Sequence, residues 1–229
     1  RRWLGREQRR WRGVGLTSSY TRLCLVRHGE TAWNAEHRLQ GHIDVPLNDV
    51  GRAQADATAA CLPAGLFGAC YSSDLQRAFE TAQAAAVAVG LAPHKTPALR
   101  ERHYGCFQGL TYSEARQRFP AAYARFETRD PDFVLPEGGE SLQRFSARVS
   151  ASLEGIARRH PGESVLVVAH GGVLDIAHRL ATGKPLDTPR DFAIPNAALN
   201  WIRYERGWTL ESWGDTGHLA SARDELPNT

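Results

Sequence analysis

The stretch Ser164-Val165-Leu166-Val167-Val168-Ala169-His170-Gly171-Gly172 is the most informative in the chain. An uncharged, valine-rich run with no alternation of polar and apolar positions predicts a strand covered on both faces. The run ends abruptly in a histidine and two glycines, and a helical stretch follows through Leu180. Strand, turn and helix in succession form the repeating unit of a parallel sheet, because parallel neighbours need a crossover that packs back onto it.

Working outward, the same unit recurs. Arg22-Leu23-Cys24-Leu25-Val26 is a second nearly continuous apolar run, and it ends at Arg27-His28-Gly29. Ala69-Cys70-Tyr71 reads as a third strand, with Ser72-Ser73-Asp74 expected to cap a helix over 75–89 that Gly90 stops. Asn48 is expected to cap an Ala-rich helix over 48–62. The 141–160 stretch sets Leu142, Phe145, Val149, Leu153 and Ile156 on one helical face before Pro161-Gly162. Residues 91–140 are broken by prolines, with one or two short helices expected over 112–126; 198–204 and 208–213 read as strands around Arg206-Gly207. The predicted architecture is a three-layer α/β/α sandwich with a mainly parallel central sheet. Ligands of such sheets gather beyond the carboxyl ends of the strands, where Arg27-His28, Ser72-Ser73 and His170 fall.

At 229 residues, 42% hydrophobic and 23% charged, the chain has the composition of one ordinary α/β domain. No apolar run approaches the roughly 18 residues of a membrane span. The net charge of +3 is unevenly spread: residues 1–22 hold seven Arg against Glu7, a local +6, which leaves −3 for the remainder. With Trp3 and Trp11, this arm suits contact with nucleic acid or acidic lipid, a targeting peptide, or a poorly ordered extension. The last is adopted, giving a basic N-terminal extension over 1–21 and a single domain over 22–229 with a lid-like insertion around 103–140. No nucleic-acid or membrane partner is expected, and a homodimer is left open. There is no methionine, even at position 1, so the chain is read as other than an intact translation product. Cys24, Cys61, Cys70 and Cys106 lack metal-ligand spacing and are expected to be buried thiols, and with no disulfide framework the cytoplasm is the favoured compartment.

Two buried strands that each end in His-Gly can bring His28 and His170 to one place. A single histidine there is more often a structural imidazole, and Arg77 alone would be a solvated helix charge. Together with Arg27 they form an anion hole, since the planar guanidinium fork donates to paired phosphate oxygens and keeps its charge. Glu101 by itself reads as an ion-pair partner of Arg100 or Arg102.

The segment Leu25-Val26-Arg27-His28-Gly29-Glu30-Thr31-Ala32-Trp33-Asn34 resembles the signature of the histidine phosphatase superfamily, which includes cofactor-dependent phosphoglycerate mutases and many small phosphatases. The resemblance continues through Gln40-Gly41, Pro46-Leu47-Asn48-Asp49-Val50-Gly51, Tyr71-Ser72-Ser73-Asp74-Leu75-Gln76-Arg77-Ala78, Leu99-Arg100-Glu101-Arg102-His103-Tyr104-Gly105, Gly138-Gly139-Glu140-Ser141 and Val168-Ala169-His170-Gly171-Gly172. It implies a phosphoglycerate mutase-like fold and two-step phosphoryl transfer. Neutral His28 attacks phosphorus, Arg27, Arg77 and His170 surround the phosphoryl group, and Glu101 serves as proton donor. Asn34, Gln40, Gly41, Arg102, His103, Tyr104 and Gly171 fall at substrate-binding positions. No metal and no resident cofactor is implied, and the nine histidines contain no HExxH motif. His37, His42, His94, His160, His178 and His218 receive no role.

The Glu101–Gly105 loop is similar to the mutase version, which keeps a cofactor-dependent phosphoglycerate mutase, using 2,3-bisphosphoglycerate, as the alternative. Against it, Tyr112 stands where mutases carry Lys, and 121–127 lacks their paired Arg. Fewer cations should weaken the hold on a bisphosphorylated intermediate, so metal-independent hydrolysis of a small phosphorylated metabolite is predicted. A non-catalytic phospholigand-binding module is a third reading. Tyr104, Phe107, Tyr112, Phe119, Tyr123 and Phe126 form either an aromatic wall for the leaving group or a local core.

Overall fold

The computed structural model describes residues 20–222 and 224, so the extension expected over 1–21 lies, except for its last two residues, outside the described residues. The central sheet holds six strands in the order β3-β2-β4-β1-β5-β6: β1 Thr21–Arg27, β2 Ala69–Ser73, β3 Pro93–Thr96, β4 Ser164–Ala169, β5 Leu199–Tyr204 and β6 Trp208–Asp215. The pairs β1/β4, β2/β4 and β2/β3 are parallel, whereas β5 and β6 add antiparallel at one edge. β3 is an edge strand beginning at Pro93, inside the segment whose sequence looked irregular. Four residues starting with proline are too short for a periodic signal, and only an edge tolerates the missing donor.

The continuous apolar runs of β1 and β4 serve two cores at once. Leu23, Leu25, Val165, Val167 and Ala169 face a layer that includes Leu142, Phe145, Val149, Leu153 and Ile156. Cys24, Val26, Leu166 and Val168 face the other layer, with Cys70, Ala78, Ala82 and Ala85. Period-two alternation thus assigns successive residues to opposite cores. The first layer is built by α6 Leu142–Arg159 and α7 Gly171–Thr182, and the second by α2 Asp49–Cys61 and α3 Gln76–Ala88. A single turn, α1 Ala32–Ala35, follows β1. No helix among the described residues is long and apolar enough to cross a membrane.

Caps explain most helix starts. The side chains of Asn48 and Ser141 accept from the amides of Gly51 and Arg144, as their positions suggested. For α3 the expected Ser72-Ser73-Asp74 cap is not used: Leu75 occupies the N-cap position, and the Gln76 amide donates to Asp44 Oδ1 at 2.7 Å. A cap delivered from a residue thirty-two positions away leaves no local signature. Cys61 also departs from expectation, being exposed, while Cys24, Cys70 and Cys106 are buried.

Between β3 and α6 the chain forms α4 Tyr112–Arg118 and α5 Pro120–Glu127, separated at Phe119-Pro120 where proline begins a new helix. Leu39, Cys106, Phe107, Ala115, Tyr123 and Leu135 make a small core of their own, flanked by Tyr104, Tyr112, Phe119 and Phe126. The local-core reading of these aromatics therefore holds. Three of them, Tyr104, Tyr112 and Phe126, also line a cleft.

Leu153 is fully buried between α6 and the sheet. Leu153→Ala should cost about 2–5 kcal/mol, by lost transfer energy plus the cavity left. Urea unfolding should show a lower midpoint at unchanged slope.

Candidate active site

β1 carries the chain into the site and β4 fixes where it ends: the His28 amide donates to Ala169 O at 2.9 Å, extending the ladder one step beyond the strand. Asn196 Nδ2 donates to His28 O at 2.9 Å, and the Gly29 amide to Thr81 Oγ1 at 3.0 Å. Gly29 is required by proximity, since a Cβ there would lie 2.4 Å from Gly51 O at the start of α2. His28 Nδ1 lies 2.7 Å from its neighbour's carbonyl, Gly29 O. A carbonyl oxygen only accepts, so Nδ1 carries the proton and Nε2 keeps its lone pair. Burial, then Arg77 and Arg27, hold the imidazole well below the usual histidine range, so it is neutral.

His170 ends β4 and sits with its ring centroid 5.2 Å from that of His28. Its Nε2 is 2.8 Å from Ser73 Oγ at the end of β2, while its buried Nδ1 has no hydrogen-bond partner. Burial first, then Arg77, His28 and Arg27, also depress its pKa well below the ordinary value.

Arg27 and Arg77 are 2% and 1% exposed, which decides against a solvated helix-surface charge for Arg77. Arg27 Nη1 donates to Ile194 O at 2.9 Å, and Arg77 donates from Nη1 to Ile43 O at 3.0 Å and from Nη2 to Gly41 O at 2.8 Å. Burial brings the Arg77 guanidinium down to about 10, against the opposing pull of Glu101 and Asp44, and it remains a cation at neutral pH. The 41–44 loop acts twice on α3, since Asp44 caps the helix and the carbonyls of Gly41 and Ile43 aim the arginine of its first turn.

Glu101 makes no ion pair with Arg100 or Arg102. Arg100 forks onto Asp74 at 2.7 and 2.6 Å, and Arg102 donates from Nε and Nη2 to Glu140 O at 3.1 and 3.0 Å. The Glu101 carboxyl instead accepts from the amides of Arg102, 2.8 Å to Oε1, and Gly172, 3.0 Å to Oε2. A Cβ on residue 172 would lie 2.2 Å from Oε1, so only glycine there permits the contact. Burial pushes this carboxyl's pKa up against those amides and the charges of Arg77 and Arg27.

Arg27, His28, Asn34, Gln40, Gly41, Arg77, Glu101 and Tyr104 line one pocket. Asn34 Oδ1 is committed to the capping box with Thr31 at the start of α1. Arg102, Tyr104 and Gly171 line an adjoining cleft, and Tyr104 and Tyr112 are common to both. His103 lines neither: its amide donates to Glu140 Oε2, its Nδ1 accepts from the Gly105 amide, and its ring lies against His42.

Sequence reading missed Arg129, Asp175, Arg190 and Ile194, which also line the cleft. Arg129 pairs with Asp175 at 2.8 Å, and Arg190 with Asp224 at 2.7 Å. Arg129-Asp130-Pro131 reads only as a turn. Asp175, by contrast, stands within the apolar run Val173-Leu174-Asp175-Ile176-Ala177, and a buried acid there was a usable signal. The assembled groups are two buried cations, a neutral imidazole with an available lone pair, and a carboxyl with raised proton affinity. That set suits a tetrahedral phosphate dianion and transfer of its phosphoryl group. Among the described residues no group of three or more His, Cys, Asp and Glu is placed to hold a metal ion.

The family model described as histidine phosphatase superfamily (branch 1) matches residues 23–216. The chain is 43% identical over 204 residues to phosphoglycerate mutase-like protein 4 of Arabidopsis thaliana, covering 87% of each chain. It is 39% identical to a metal-independent phosphoserine phosphatase of the same plant, covering 96% of this chain and 92% of that one. The solved structure of an Entamoeba histolytica phosphoserine phosphatase in complex with 3-phosphoglyceric acid superposes with a TM-score of 0.78 at 26% identity, over 87% of this chain and 99% of that one.

The geometry makes a spectroscopic prediction. In histidine-resolved NMR titrations, His28 and His170 should show no protonation step near pH 6.5, because both pKa values are depressed. An ordinary titration of either ring would contradict their burial beside two guanidiniums.

Proposed function

The chain belongs to the histidine phosphatase superfamily, and on that premise we propose that it hydrolyses phosphomonoesters of small metabolites through a phosphohistidine on His28, without a metal. The observation that carries this reading is the His28 Nδ1 hydrogen bond to Gly29 O, which points a basic Nε2 away from its own backbone beside Arg27, Arg77 and His170.

In the first step Nε2 attacks phosphorus in line. The bond to the ester oxygen breaks as the new P–N bond forms, and the protonated form of Glu101, which burial favours, gives its proton to the departing alkoxide. Arg27, Arg77 and His170 stabilise charge on the equatorial oxygens. In the second step the Glu101 carboxylate takes a proton from water, the hydroxide displaces His28 from phosphorus, and phosphate leaves with neutral His28 and protonated Glu101 restored. Asn34, Gln40 and Gly41 belong to the phosphoryl pocket. Arg102, Tyr104 and Gly171 belong to the cleft for the alcohol portion, over which 103–140 acts as a lid.

Arg102, Arg129 and Arg190 line that cleft, and with Arg129 paired to Asp175 and Arg190 to Asp224 one guanidinium, Arg102, is in excess, so the alcohol portion we favour is itself anionic, as in phosphoserine or phosphoglycerate. The same cations favour the second reading, a phosphoglycerate mutase. Arg102, with Arg129 and Arg190 in ion pairs beside it, supplies guanidiniums in place of the Arg pair that 121–127 lacks, and these can contact the second phosphate of a bisphosphorylated ligand. Four cysteines without a disulfide support the reading of a reducing compartment, the cytoplasm.

A parallel assay separates the readings: phosphate release from a panel of phosphomonoesters, and 3- to 2-phosphoglycerate interconversion with bisphosphoglycerate present. We expect release without efficient interconversion, and the converse result would make the chain a mutase. His28→Ala should reduce turnover by ~10³-fold or more, and rapid acid-sensitive trapping should find phosphate on His28 in the wild type. A chelator should leave the rate unchanged.

The pH dependence follows from the two shifts. Activity needs neutral His28, so it falls on the acid side only through a pKa well below the histidine norm. It also needs protonated Glu101, so it falls on the alkaline side through a pKa above the carboxylate norm. The kcat/KM profile should be a bell displaced to acid pH, and Glu101→Gln should remove its alkaline limb.

A further inference from the structure

Glu101 occupies a segment with no regular secondary structure, between the 3₁₀ turns Pro97–Leu99 and Gly105–Phe107. A proton donor on such a segment needs its backbone fixed from outside, because a displacement of about 1 Å at a reacting group can cost on the order of 10²-fold in rate. The fixing group is Arg148, on the second turn of α6. Its Nη1 donates to Ala98 O at 3.0 Å and Arg100 O at 2.9 Å, and its Nη2 donates to Glu101 O at 3.2 Å. The same guanidinium forks onto the Glu140 carboxylate, Nε to Oε1 at 2.9 Å and Nη2 to Oε2 at 2.7 Å.

Glu140 completes the staple from the other side. Its Oε2 accepts from the His103 amide at 2.9 Å, its own amide donates to His103 O at 2.9 Å, and its carbonyl receives the Arg102 fork. Carbonyls 98, 100 and 101 and amide 103 are therefore all tied to one ion pair whose partners are 24% and 21% exposed. An exposed pair of this kind would contribute little, but this one is about three-quarters shielded and geometrically bidentate. His42 Nε2 adds a second hold on Glu101 O at 2.8 Å.

We propose that Arg148 and Glu140 form the positioning pair for Glu101, holding its carboxyl against Gly172 in the orientation that delivers a proton to the leaving oxygen. The inference rests on the reading of Glu101 as proton donor. Neither side chain touches the reacting atoms. Their effect passes through the backbone, so it falls on the step that uses the proton and not on phosphate binding.

Leaving-group dependence tests this, since p-nitrophenolate departs without a proton while a poorer leaving group needs one. The kcat/KM values for phenyl phosphate and p-nitrophenyl phosphate, nearly identical in shape, are compared in wild type, Glu101→Gln, Arg148→Met, Arg148→Lys and Glu140→Gln. The phenyl to p-nitrophenyl ratio should fall by about tenfold or more in Glu101→Gln and in Arg148→Met. A smaller fall in the same direction is expected for Arg148→Lys and Glu140→Gln, which keep a charge or a shape and remain informative if Arg148→Met does not fold. A common factor of loss for both substrates in the Arg148 and Glu140 variants, with the ratio shifted only in Glu101→Gln, would overturn the positioning role. An unshifted ratio in Glu101→Gln itself would instead remove the proton-donor reading beneath it. Absence of phosphate release from either ester in the wild type would remove the phosphatase reading.

Discussion

The guanidiniums of Arg27 and Arg77 lie beneath the surface, held by the main-chain carbonyls of Ile194, Gly41 and Ile43. Carbonyl dipoles orient a cation without neutralising it, so the positive field survives for an incoming anion. Much of the rest follows from that field. Burial first, and this field with it, suppress protonation of His28 and His170, while the field pulls down on the Glu101 carboxyl, whose burial outweighs the pull. Burial beside one pair of charges thus lowers the proton affinity of an imidazole and raises that of a carboxyl lining the same pocket, an opposed pair of the kind that two-step phosphoryl transfer uses.

Loop 98–103 shows how the backbone that carries Glu101 is held. α6 was legible from sequence as a core helix, with Leu142, Phe145, Val149, Leu153 and Ile156 facing the sheet. Its other edge presents Arg148 to the loop, so the helix that packs the core also braces the segment carrying Glu101. Packing and chemistry are joined here through a shared rigid element, in which movement of α6 against the sheet would be felt at the carboxyl.

The strands that place His28 and His170 were readable because burial on both faces leaves a strong compositional mark, and Asn48 and Ser141 because capping is local. What escaped is nonlocal or served by the main chain. Asp44 caps a helix far along the chain, Asn196 holds the His28 carbonyl, and Ile194 contributes only a backbone oxygen to Arg27. Arg129 reaches the cleft from a turn and Arg190 from an irregular loop, where nothing in neighbouring residues announces direction. His103 illustrates the opposite case: its place near Glu101 in sequence suggested the pocket, yet its ring is engaged by the Gly105 amide and His42.

The carbonyl-held arginines also bear on the folding equilibrium. Two guanidiniums buried to 2% and 1% exposure are a desolvation cost to the native state, and any phosphate-bearing ligand that binds between them offsets part of it. Inorganic phosphate, the released product, thereby becomes a folding ligand as well, and by linkage its affinity for the native state appears directly as added conformational stability. The same attraction that draws a substrate also draws the product, so inorganic phosphate competes for the two cations that a phosphomonoester needs.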